Sequence, residues 1–233
     1  MSRLNLVFLG FFVHGCMVVE STTRSPRWHP PLIWNDGKEP IGRGITLNAH
    51  IFYDNKTYET QAPGNNVTQY FKNLFDRTQQ HFNNRSVMIS IVVRNISRNT
   101  SLEVKKNRHV LNGTATIKNL QNYSEVFTLS NDSIVYLFTN KTPYDNSYVG
   151  AAIPGVSSRM STFGTFCTEN NSAAIVVLDP GSTSYLGTVK ATAEVFGSKT
   201  FDKFKQDDFM KMKETFLHCH VNKTQNAESE EED

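Results

Sequence analysis

The sequence predicts an α/β domain, a mixed and mainly parallel twisted sheet flanked by helices. Apolar β-forming runs alternate with segments of helical periodicity, the pattern of parallel strands joined by crossover helices. Two runs, 87–93 (VMISIVV) and 133–139 (SIVYLFT), are apolar almost throughout, as strands covered on both faces require. The stretches between runs are long enough for the connections parallel strands need.

The first residues set the compartment. Arg3 supplies a positive start, and 4–19 is an apolar run broken only by Asn5 and His14. It reads as a secretory signal peptide, cleaved after Ser21 or alternatively after Gly15, and is too short to span a bilayer comfortably. No later run is apolar for long enough to be a transmembrane helix, so the expectation is a secreted, extracellular product without a membrane anchor. The domain organisation expected is 1–21 signal peptide, 22–44 extended arm, 45–220 folded domain and 221–233 disordered acidic tail. A formal net charge of +2 argues against a dedicated nucleic-acid binder.

In the arm, Pro26, Pro30, Pro31 and Pro40 oppose regular structure. The run 45–53 is the first strand. Asn65 or Asn66 can cap a long amphipathic helix in which Val67, Tyr70, Phe71, Leu74, Phe75 and Phe82 recur at three- and four-residue intervals. The run 87–93 follows as the expected core strand. Residues 94–108 are polar and carry Lys105, Lys106, Arg108 and His109, readable as an anion-binding patch or as an edge strand whose cations discourage aggregation. A weaker helix over 113–123 leads to the next core strand, 133–139. Two short β-runs are expected within 166–179, the second at 173–178, before the stop at Pro180-Gly181. Helical spacing returns over 185–199, ending near Gly197, and a last helix starts near Asp207-Asp208, which are good capping residues.

With Cys16 in the signal, Cys167 and Cys219 remain as an even pair in an oxidising compartment and read as one disulfide, two unrelated thiols being the alternative. Acceptor sequons occur at Asn55, Asn66, Asn84, Asn95, Asn99, Asn112, Asn122, Asn131, Asn140, Asn170 and Asn222. Those eleven compare with about four expected by chance, since 22 × 41/233 is near 4 for 22 asparagines and 41 Ser plus Thr. The excess points to a heavily N-glycosylated surface, with a minority of sites empty.

The order strand, long helix, strand, edge segment, helix, core strand, two short strands, helix resembles the metzincin protease domain, here with its lower subdomain truncated. The strings 148–154 (YVGAAIP), 164–179 (GTFCTENNSAAIVVLD) and 180–193 (PGSTSYLGTVKATA) look like the approach to the zinc helix in the adamalysin or reprolysin branch. The chain is similar to the short secreted tick salivary proteins related to those proteases, of the metastriate-tick type. That resemblance implies a metalloendopeptidase using the signature HExxHxxGxxH. Where the signature would lie the chain reads 193–200 (AEVFGSKT), with Glu194 at the general-base position and Ala193 and Gly197 where zinc histidines would stand.

Three imidazole nitrogens and an open water position are what a catalytic zinc site needs, and the glutamate works only on a metal-acidified water. No HExxH or HxxEH pair occurs anywhere in the chain. His218 and His220 flank Cys219 at a spacing that could chelate, but Cys219 is better used in the disulfide and two alternate histidines so placed usually face solvent. Neither a GxSxG elbow nor a GxxxxGK[ST] loop is present. The expectation is therefore a non-catalytic pseudoenzyme without metal or cofactor. It would be monomeric and act on an unidentified host protein or effector. A reprolysin-type enzyme with non-standard ligands is the alternative.

Overall fold

Strands β1 (Thr46–Tyr53), β2 (Ser90–Arg98), β4 (Ser133–Thr139) and β8 (Ser172–Val177) run parallel, and β7 (Arg159–Ser161) joins β8 antiparallel, in the order β2-β1-β4-β8-β7. The sheet is thus mixed and mainly parallel. Our computed structural model describes residues 39–145, 155–156 and 159–220. The expected signal peptide, the arm up to residue 38, the acidic tail with Asn222 and the 148–154 string lie outside the described residues.

Each face of the sheet builds its own core. In β4 all seven residues are buried, and alternation sends Ile134, Tyr136 and Phe138 to one side and Val135 and Leu137 to the other. The larger core receives Tyr70, Phe71, Leu74, Phe75 and Phe82 from α2 (Val67–Asn83), Val189 and Val195 from α4 (Leu186–Val195), and Phe209, Met212 and Phe216 from α5 (Gln206–Phe216). Each of these large side chains contributes about 1.5–3 kcal/mol by leaving water. On the opposite face, α3 (Gly113–Val126) packs Ile117 and Leu120 against Phe52, Val135, Leu137 and Ile175.

Asn66 caps α2 as expected, Asn112 caps α3 without having been singled out as a cap, and α5 begins at Gln206 after Lys205, with Asp207 and Asp208 in its first turn rather than at the cap. Asn66 accepts from the Gln69 N–H at 2.9 Å and Asn112 from Ala115 at 3.1 Å, satisfying first-turn donors that no helix carbonyl can reach. A short α1 (Thr57–Gln61) and a 3-10 turn (Pro63–Asn65) connect β1 to α2. Beyond α4, the described chain contains one further helix, α5.

Three sequence expectations are corrected. The run 87–93 is not a central strand. Val87 and Ile89 are buried ahead of β2, which begins at Ser90 and lies at the sheet edge, half-buried, with Ile91, Val93 and Ile96 packed on the α2 side. Apolar continuity arose because the segment first plugs the core and then enters an edge. The edge role foreseen for 94–108 extends only to Arg98. In 166–179, the first short β-run is a turn, and the antiparallel strand lies earlier, at β7.

A second small sheet, β3 (Val110–Asn112), β5 (Thr142–Asp145) and β6 (Gly155–Val156), had no counterpart in the sequence reading. Its close packing needs Gly113, where a Cβ would lie 2.5 Å from Met160 Sδ and 3.0 Å from the Tyr144 carbonyl oxygen. At the end of the arm, Ile41 pairs with Val87 in a parallel bridge, donating to Ser86 at 2.9 Å and accepting from Met88 at 2.7 Å.

Candidate functional site

Helix α4 is buried on nearly every side, by Thr188, Val189, Ala191, Thr192, Ala193 and Val195. Small residues let it lie close on β8. A Cβ at Gly187 would meet Val176 Cγ1 at 3.3 Å. Below it, the buried Tyr136 hydroxyl shares a 2.8 Å hydrogen bond with Thr192, and burial pushes that phenol well above its ordinary pKa. What α4 offers outward is Leu186, Lys190 and Glu194, spaced by four and therefore on one face.

Glu194 is fully engaged. One carboxylate oxygen accepts from the Arg159 guanidinium, at 3.0 Å from Nε and closely from Nη2. The other accepts from Ser161 Oγ at 2.7 Å. Both partners come from β7, so the ion pair ties the edge strand to the last turn of the helix. The side chains of Arg159 and Glu194 are only 18% and 21% exposed. Both guanidinium nitrogens converge on one oxygen, and such charge-assisted hydrogen bonds are stronger than neutral ones. Lys190 reaches the other way, its Nζ 5.1 Å from the Phe201 ring centre.

Gly197 ends the helix. Its φ of +92° is a conformation that L side chains rarely adopt. The Gly197 N–H bonds the Glu194 carbonyl at 2.9 Å, and the Ser198 N–H reaches back to Ala193 at 2.8 Å, the paired bonds of a Schellman stop. Ala193, fully buried, faces the core, and Gly197 lies past the helix end. The pair does not stand one turn apart on a shared helical face, whereas Lys190 and Glu194 do.

The loop after Gly197 is organised by Asp208 in the first turn of α5. Its carboxylate accepts from the Lys199 N–H at 2.9 Å, the Thr200 hydroxyl at 2.6 Å and the Lys205 N–H at 2.9 Å. Burial alone would raise its pKa, but these hydrogen bonds and one from Ser198 outweigh it and bring the value to about 2. A depressed carboxylate contributes stability that is complete above its unfolded pKa of about 4 and lost as pH falls through the folded value. Asp208→Asn is expected to cost about 1–2 kcal/mol at neutral pH, after discounting for solvent screening. The difference from wild type should vanish between about pH 4 and pH 2. Denaturant titrations at both ends of that window check it, and a cost independent of pH would refute it.

The other sequence-singled residues scatter. Cys167 is bonded to Cys219, joining the turn after β7 to the end of α5. His50 is half-buried on β1, where burial first and Arg94 second lower its pKa. His81 is buried, with Nε2 2.6 Å from the Phe201 carbonyl, and burial depresses it too. His109, His218 and His220 are exposed. In the basic cluster, Lys105 pairs with Glu103 at 3.0 Å and Lys106 lies 3.5 Å from the Tyr144 ring centre. Among the described residues, no group of three or more His, Cys, Asp or Glu is placed to hold a metal. The α4 face does not fit zinc. It presents a lysine and a carboxylate already neutralised by a guanidinium, and a divalent cation there would meet two positive charges.

Of the sequon asparagines, Asn66, Asn84, Asn122, Asn131, Asn140 and Asn170 are exposed and Asn55, Asn95, Asn99 and Asn112 half-buried. Asn55 and Asn99 each accept from the N–H and hydroxyl of the sequon residue two places on. The Asn131 side chain donates to the Cys167 carbonyl at 3.2 Å.

No family model matches the chain, and no curated protein matches its sequence. Among solved structures it is similar to metalloproteinase-II from Bacteroides fragilis, at 11% identity over 76% of this chain and 56% of that one, with a TM-score of 0.44. It is similar to archaemetzincin from Methanopyrus kandleri, at 13% identity over 74% and 89% and a TM-score of 0.39. A chain in a chaperone–substrate complex aligns at 10% identity over 66% of this chain and 23% of that one, with a TM-score of 0.45. The chain therefore spans little more than half of the Bacteroides fragilis protein. At these identities and scores the likeness is one of outline and assigns neither family nor activity.

Proposed function

We propose that the chain is a secreted, N-glycosylated, catalytically inactive relative of the metzincin proteases, a salivary factor that acts by binding host proteins. The observation that carries the inactive part is the clamp on Glu194. A general base must have a free oxygen aimed at a metal-bound water, and both oxygens of Glu194 are held by Arg159 and Ser161. Support for the metzincin outline comes from the strand order, with one antiparallel edge strand and a helix as the next element after the last parallel strand.

The helix stop also admits a second register for the lost signature, in which a working base is lacking as well. With Gly197 as its glycine, HExxHxxGxxH falls on 190–200 (KATAEVFGSKT). The histidine positions are then Lys190, Glu194 and Thr200, and the general-base position is Ala191. In this register Glu194 replaces the second histidine rather than surviving as the base. Secretion and glycosylation rest on the apolar leader and the sequon excess, and the salivary role on the resemblance in sequence strings.

Metal analysis of the purified secreted protein decides between this reading and an enzyme with unusual ligands. The expected result is zinc far below one per chain and no chelator-sensitive cleavage of a denatured protein substrate. Stoichiometric zinc accompanied by chelator-sensitive peptidase activity would overturn it.

A further inference from the structure

Helix α5 shows an outward face that nothing covers among the described residues. Met210 and Leu217, two turns apart, are 55% and 77% exposed. With Phe163, 53% exposed, they line a groove of about 800 Å³ whose wall includes Gly197 and Lys199. Isolated exposed apolar side chains are ordinary, but three of them converging on one groove mark an interaction surface. The helix and its neighbours hold no acceptor sequon of their own. None lies between Asn170 and Asn222, so α4, α5 and the loop joining them carry no N-linked glycan.

The charges beside the groove identify the occupant. Asp207, Lys211 and Glu214 on the helix and His218 in the turn that continues it follow at intervals of four, three and four, one stripe with alternating sign in the first three. Lys211 and Glu214 are exposed and already pair within the chain at 2.7 Å. Laid antiparallel against itself about a two-fold axis between 211 and 214, the stripe meets its own complement. Lys211 faces Glu214 of the second copy, and Asp207 faces His218. A parallel arrangement would set lysine against lysine and glutamate against glutamate.

We infer that α5 is a self-association surface, and that the groove is filled by Met210 and Leu217 of a second copy of this chain. A two-fold interface uses one patch on both subunits and must be self-complementary, as this stripe is. Helix axes 8–10 Å apart would bring both apolar side chains into the opposite groove. An eleven-residue helix with its flanking loop offers the area of a weak, reversible dimer rather than an obligate one. The inference replaces the expected monomer and is independent of whether the α4 site is inactive.

Sedimentation velocity of the full secreted chain over a range of concentrations tests it. A reversible monomer–dimer equilibrium is expected. Leu217→Asp should weaken it on the order of a hundredfold, because two side chains per dimer lose their burial. Lys211→Glu and Glu214→Lys should each weaken it on the order of tenfold by setting like charges together twice. The double variant Lys211→Glu/Glu214→Lys should return to within a few-fold of wild type. All these side chains are exposed, and unchanged melting temperatures would verify the fold. Should Leu217→Asp melt early, the charge exchange decides alone. A monomer mass at every concentration, or a double variant no better than the singles, would overturn the inference.

Discussion

Replacing Lys141 with methionine is expected to destabilise the protein by about 3–5 kcal/mol at neutral pH, the cost of breaking a buried ion pair by removing one partner. Asp54 directly follows β1, and Thr139 ends the neighbouring parallel strand β4, so both strands deliver their last residues to one place. Lys141 Nζ lies 2.5 Å from Asp54 Oδ2 and 2.6 Å from Glu103 Oε2, and Thr139 Oγ1 donates to Asp54 Oδ2 at 2.6 Å. The side chains of Asp54 and Glu103 are 0% and 2% exposed, so water cannot replace the ammonium. Asp54 Oδ1 already lacks a hydrogen-bond partner among the described residues, which leaves the cluster little reserve. Methionine matches the stem of lysine but supplies no charge. Among the described residues, Lys105, 58% exposed, would remain as the cation on Glu103.

The pH dependence gives this prediction a signature. Burial pushes the Glu103 carboxyl up, and the hydrogen bonds and charges of Lys141 and Lys105 bring it below its ordinary value. In the wild type its contribution is therefore complete above the ordinary glutamate pKa and lost as pH falls through the lower folded one. In the variant only Lys105 still opposes burial, so the folded pKa rises relative to wild type. The penalty is then full at neutral pH and shrinks as acid protonates the group. The gap between variant and wild type, measured by urea unfolding, should be widest near neutrality and narrower toward about pH 4. Neutralising the whole cluster, as Asp54→Asn/Glu103→Gln/Lys141→Met, should recover most of the loss. A loss under about 1 kcal/mol, or one that does not change with pH, would show that solvent reaches the cluster.

Elements whose own residues carry a period were legible in the sequence. The spacing of Tyr70, Phe71, Leu74, Phe75 and Phe82 is the buried face of α2, and the apolar block 133–139 is the strand buried along its whole length. The run 87–93 misled because continuity reports burial, and Val87 and Ile89 are buried without being strand. Strand β7 and the strands of the small sheet have two to four residues each, too few to express an alternation. At the candidate site, Glu194 was visible but its meaning was not. Arg159 and Ser161 lie 35 and 33 residues earlier, and only closure of the sheet brings them to it. Lys141, Asp54 and Glu103 likewise come from separate segments, and each alone resembles an ordinary surface charge. The glycine stop near Gly197 is legible in the sequence, and the structure places it just past the end of α4.

Removing the disulfide as Cys167→Ser/Cys219→Ser is expected to cost about 4 kcal/mol by the chain-entropy account, because the bridge closes a loop of 52 residues in the unfolded chain. That is a large part of the 5–15 kcal/mol typical of a folded domain. The folded-state consequence should be local. Cys167 is anchored beside β4 by the bond from its N–H to the Asn131 carbonyl at 2.8 Å, and Cys219 follows directly on α5. Helix α5 would keep Phe209, Met212 and Phe216 in the core, so the fold should persist while its last turn gains freedom. Hydrogen exchange in the double variant should accelerate most over 213–219 and least in β4. Because the same helix carries the Lys211 and Glu214 stripe, self-association should weaken in parallel. A double variant with wild-type stability and unchanged exchange in α5 would mean that the Phe166, Phe196 and Phe216 cluster holds the helix without the bridge.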